Sequence, residues 1–63
     1  MINEKIKLRR IQQKLTQQEL SDKSGVSQQL ISKIENGKAQ PSLRTITKLA
    51  NVLKLDIDLK VKD

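Results

Sequence analysis

A chain of 63 residues has room for one core and one site, near the lower size at which a domain holds together without disulfides or a structural metal. It contains no Cys, no His and no aromatic residue, which excludes thiol and imidazole catalysis, the usual zinc ligands and the stacking platforms that grip single-stranded nucleic acid. Thirteen Lys and Arg against seven Asp and Glu leave a net charge of +6, the electrostatics of a partner for a polyanion.

The first predicted element runs from about Asn3 to Lys14. Ile2, Ile6, Leu8, Ile11 and Leu15 recur mostly at three- and four-residue steps and form its apolar stripe, with Lys5, Lys7, Arg9 and Gln13 on the solvent side. Thr16 opens the second helix, because a T-x-x-E box with Glu19 satisfies two free amides of a helix start. Ser24-Gly25 ends it, since Gly tolerates the left-handed backbone of a helix stop.

Val26 then turns inward, and Ser27 caps a third helix from Gln28 to about Glu35 that closes at Asn36-Gly37. Its buried side is Ile31 and Ile34, with Leu30 partly in the core or at the rim of the exposed face. Two short helices around a glycine-bearing turn make the helix-turn-helix pattern. Pro41 holds the chain out of helix until Ser42 caps a fourth segment with Leu43, Ile46, Leu49, Ala50 and Leu53 on one side.

After Lys54 the period changes to two. Leu55, Ile57, Leu59 and Val61 alternate with Asp56, Asp58, Lys60 and Lys62, which reads as a half-buried strand or, alternatively, a frayed tail. A lone strand leaves its backbone groups unpaired, so its partner is expected from a second molecule, making 55–63 a dimerisation strand after a domain at 1–54. An antiparallel pair centred on Leu59 sets Ile57 opposite Val61, Asp58 opposite Lys60 and Asp56 opposite Lys62, whereas centring on Asp58 or Lys60 sets like charges face to face.

The segments Leu15-Thr16-Gln17-Gln18-Glu19-Leu20, Gly25-Val26-Ser27-Gln28-Gln29, Ile31, Ile34-Glu35-Asn36-Gly37-Lys38 and Pro41 together resemble the lambda and 434 phage repressor family of helix-turn-helix proteins, over roughly Ile6 to Leu53. The resemblance implies an all-α, four-helix domain whose third helix lies in the major groove of duplex DNA. It implies base contacts from Gln28, Gln29 and Lys33, phosphate contacts from Gln17, Asn36 and Lys38, and a buried ion pair between Arg10 and Glu35. This chain departs from the family at Lys14, where glycine is common, at Ser21, where alanine is usual, and in its C-terminal alternation, which is similar to bacterial antitoxins that dimerise through a strand.

The residue types fit the implied roles. A Gln carboxamide donates and accepts at once, matching N6 and N7 of adenine, and Lys33 one turn on reaches guanine or a phosphate. Ser27 and Ser32 complete the base-facing set, while Thr16 and Gln17, at a helix N-terminus with its unpaired amides, and Arg44, at the next, join the phosphate-facing set. Without the surrounding motif, Gln28 and Gln29 read as solvated side chains, and Lys38 and Arg44 as solubility charge.

The expected function is a sequence-specific regulator of transcription, acting as a repressor and binding an inverted-repeat operator as a homodimer. The alternative is an antitoxin that neutralises a toxin protein and autoregulates its operon. No catalytic residues, metal or cofactor are expected, because the seven carboxylates are scattered without His, Cys or a glycine-rich phosphate loop. No apolar run reaches the roughly 20 residues of a membrane span, residues 1–5 lack the apolar stretch of a secretory leader, and the aromatic side chains of a membrane-surface helix are absent. A cytoplasmic location without membrane contact is therefore expected.

Overall fold

The computed structural model describes residues 2–55. Its four helices, in chain order, are α1 (Ile2–Gln12), α2 (Gln17–Ser24), α3 (Gln28–Glu35) and α4 (Leu43–Leu53). Three of them start at a hydroxyl side chain, as helices need an acceptor for their first unpaired amides. Thr16 Oγ1 accepts from the Glu19 amide at 3.0 Å and the Glu19 carboxylate accepts from the Thr16 amide at 2.9 Å, closing the capping box. Ser27 and Ser42 accept from Leu30 and Thr45, each at 3.1 Å.

The helix ends are left-handed residues. Gly25 takes φ 78° after α2, and its amide bonds to the Ser21 carbonyl. Gly37 takes φ 72° just after α3, and the stops after α1 and α4 fall on lysines, Lys14 with φ 58° and Lys54 with φ 55°. Lys14, where glycine is common in the family it resembles, takes the left-handed backbone itself, and α1 ends two residues earlier than its apolar spacing indicated.

α1 packs on α3 and α4, and α2 packs on the same two helices. Between them lie Ile6, Leu20, Val26, Ile31, Ile34, Leu49 and Leu53, all buried, with Ile2, Leu15, Leu30, Ala39, Val52 and Leu55 packed around this core. The expected stripe of α1 is corrected here: Leu8 and Ile11 are exposed, and Arg9 and Gln13 turn inward instead. At 3.6 residues per turn, Leu8 sits about 200° around the axis from Ile6 while Gln13 returns to within about 20° of it. Arg9 Nε and Gln13 Nε2 donate to the Leu53 carbonyl at 2.9 and 2.7 Å, closing the C-terminus of α4. Leu43, in the first turn of α4, is likewise exposed rather than in the stripe.

Every regular element among the described residues is helical. Leu55 packs against its own chain's core and donates its amide to the Ala50 carbonyl at 3.0 Å. The expected strand, with Ile57, Leu59 and Val61, lies outside the described residues.

Candidate nucleic-acid interface

Eight residues make α3, and their alternation of character divides it lengthwise. Ile31, Ile34 and Glu35 are buried, whereas Gln28, Gln29 and Lys33 are exposed and Ser32 is half-buried beside them. Positions 28, 29, 32 and 33 share one face because residues three and four apart are neighbours on a helix. The apolar side fixes the rotation of α3 in the domain, and that fixes which side chains look outward.

The outward face borders a shallow groove of about 360 Å³ lined by Gln17, Gln28, Gln29, Ser32 and Lys33. The groove joins four residues of the base-facing set with one of the phosphate-facing set. Ser27, the fifth, is exposed at the N-cap of α3, its hydroxyl oxygen occupied by the Leu30 amide. Thr16 stands at the start of α2 with its oxygen used in the capping box. Asn36, Lys38 and Arg44 are exposed and lie outside this groove, Asn36 and Lys38 in the turn after α3 and Arg44 in the first turn of α4.

Behind the groove sits one charged group, the buried carboxylate of Glu35, whose side chain is 1% exposed. Arg10 grips it with two bonds, Nε to Oε2 at 2.7 Å and Nη2 to Oε1 at 2.9 Å, and donates from Nη1 to the Leu15 carbonyl at 2.7 Å. Burial pushes the Glu35 carboxyl up, but the hydrogen bonds from Arg10 and Gln17 and the charges of Arg10 and Lys7 outweigh it and hold the group below its ordinary value. The same bonding raises Arg10.

One connection escaped the sequence: Gln17 Nε2 donates to Glu35 Oε1 at 3.1 Å. A residue expected only to face phosphate is thus tied to the ion pair through one N–H of its amide nitrogen, which carries a second. The chain Arg10–Glu35–Gln17 joins α1, the end of α3 and the start of α2, and it orients a side chain of the groove from behind. Asn3 plays a similar part at the same C-terminal end of α3, donating to the carbonyls of Ile34 at 2.8 Å and Ala39 at 3.3 Å. The signal for both was phase: Asn3, Arg10 and Gln17 all fall on or beside the buried sides of their helices.

A family model described as Helix-turn-helix matches residues 6–60. Among similar proteins, the SPbeta prophage-derived uncharacterized HTH-type transcriptional regulator YonR of Bacillus subtilis (strain 168) is 39% identical over 62 residues, covering 98% of this chain and 57% of its own length. The uncharacterized HTH-type transcriptional regulator YqaE of the same strain is 34% identical, covering 98% of this chain and 53% of its own. The chain therefore spans little more than half the length of these two curated relatives. The uncharacterized HTH-type transcriptional regulator MJ0272 of Methanocaldococcus jannaschii is 43% identical over 54 residues, covering 86% of this chain and 82% of its own. No solved structure matches the chain.

Proposed function

The chain belongs to the helix-turn-helix family, and from that premise we propose that it is a sequence-specific duplex-DNA-binding regulator of transcription, working as a repressor. The observation that carries this reading is the groove in which Gln17 from the start of α2 meets Gln28, Gln29, Ser32 and Lys33 on the outer face of α3. A helix presented this way enters the major groove, where a phosphate-binding helix start beside it fixes register and the α3 side chains read base edges. Gln28 and Gln29 are matched to adenine and Lys33 to guanine or phosphate, with Ser27 and Ser32 alongside. Thr16, Gln17, Asn36, Lys38 and Arg44 hold the backbone to either side.

The working unit in this proposal is a homodimer joined through residues 55–63 and bound to an inverted repeat with half-sites about 34 Å apart, or a multiple of that. The net charge of +6 supplies attraction independent of sequence, and the α3 contacts supply discrimination.

Selection of binding sites from random duplex DNA tests the proposal. The expected result is an enriched inverted repeat with adenine in each half, bound with an affinity that falls steeply as salt rises. Salt-sensitive binding with no enriched sequence would reduce the protein to a nonspecific cation. A stoichiometric complex with a second protein, with duplex DNA left unbound, would replace the proposal by the antitoxin reading. For the dimer, Leu59→Cys is expected to form an interchain disulfide; linkage at Asp58→Cys or Lys60→Cys instead would refute the Leu59-centred pairing.

A further inference from the structure

Two of the exposed large apolar side chains, Leu8 and Ile11, stand one turn apart on the outer side of α1. Leu8 also walls a groove of about 300 Å³ with Lys5, Arg9, Gln12, Lys54 and Leu55. Leu55 is itself a wall of this groove, and residue 56 follows it in the chain. The backbone at this point is anchored: Arg9 and Gln13 hold the Leu53 carbonyl, and the Leu55 amide bonds to Ala50.

The residues after Leu55 are chemically matched to that surface. Ile57, Leu59 and Val61 form one apolar side of this segment at a period of two. The first charge after Leu55, Asp56, is acidic, and the groove that Leu55 lines is rimmed by Lys5, Arg9 and Lys54. An extended chain rises about 3.3 Å per residue, so residues 56–61 span roughly 20 Å. The 11 residues of α1 measure about 16 Å end to end.

We infer that the segment 56–63 folds back along α1 of its own chain, setting Ile57 and Leu59 over Leu8 and Ile11 and enlarging the core of the domain. This packing requires neither DNA binding nor the dimer. An extended segment uses only one side for it, and its backbone edges stay available for pairing with a second copy.

The chain has no cysteine, so two introduced thiols report only on each other. The double variant Leu8→Cys/Ile57→Cys, oxidised in a glutathione buffer, is expected to close an intramolecular disulfide and run as a monomer on a non-reducing gel. Leu8→Cys/Asp58→Cys is expected to close at least about tenfold more slowly, because residue 58 points to the other side of an extended segment. Equal rates at 57 and 58 would mean a chain that does not pack on α1, and a disulfide-linked dimer would give the surface to a second copy; either overturns the inference. The pair Ile11→Cys/Ile57→Cys against Ile11→Cys/Asp58→Cys, clear of the proposed dimer axis at Leu59, makes the same comparison should the Leu8 variants fail to fold, and no closure in any pair also overturns it.

Discussion

Two residues of this domain sit in conformations or environments that their neighbours impose, and both are testable singly. Lys14 adopts φ 58°, a backbone that costs an L-residue roughly 1–2 kcal/mol and glycine almost nothing. After the entropy that glycine adds to the unfolded chain is subtracted, Lys14→Gly is expected to raise stability by about 0.5–1 kcal/mol, read as a higher midpoint in urea. Glu35 is the second. Its carboxyl is held below the ordinary 4.5 in the folded chain, so folding favours the charged form. That stability is complete above pH 4.5 and is lost as pH falls through the lower folded value. Glu35→Gln is expected to cost about 3 kcal/mol near neutrality, since it leaves Arg10 with a mostly buried unpaired charge, and to flatten the acid limb of the stability profile. An unchanged acid limb in the variant would assign that limb to other carboxylates.

At the scale of the element, α3 serves stability and recognition through opposite sides, and its N-cap belongs to both. Ser27→Ala removes the acceptor for the Leu30 amide and is expected to cost about 1 kcal/mol by chemical denaturation. Ser27→Asp restores the cap and is expected to recover that stability, yet it sets a negative charge where the proposed complex meets DNA, so affinity falls while the fold holds. Parallel loss of stability and affinity in both variants would show that Ser27 acts through folding alone. The α3 boundaries, its buried Ile31 and Ile34 and its exposed Gln28, Gln29 and Lys33 were legible in sequence because cap, glycine stop and apolar phase all agreed there. In α1 they conflicted. Counting three- and four-residue steps admitted Leu8 and Ile11, whereas phase relative to Ile6 selects Arg9 and Gln13, polar side chains whose partner is a carbonyl 40 or more residues away. Hydrogen bonds of that range have no local signature.

Over the whole molecule, a small apolar core is supplemented by polar ties that each join two or three elements: Arg10, Glu35 and Gln17 behind the groove, Asn3 at the end of α3, Arg9 and Gln13 at the end of α4. The residue types of the groove could be named from sequence, but the coupling of Gln17 to Glu35 appears only when α1, α2 and α3 are packed. In the proposed complex this arrangement separates two kinds of DNA contact. Gln17 faces the backbone and serves every sequence alike, whereas Gln28 faces bases and serves one. The most direct measurement of that separation is affinity for the selected operator and for a panel with single base-pair changes, taken for the unaltered protein, Gln17→Ala and Gln28→Ala at one salt concentration. Gln17→Ala is expected to weaken binding to every sequence by a similar factor, while Gln28→Ala abolishes a preference of about 1–3 kcal/mol at one base pair of each half-site and leaves the others intact. Preference retained at every position by Gln28→Ala would contradict the assignment of the outer face of α3 to base reading.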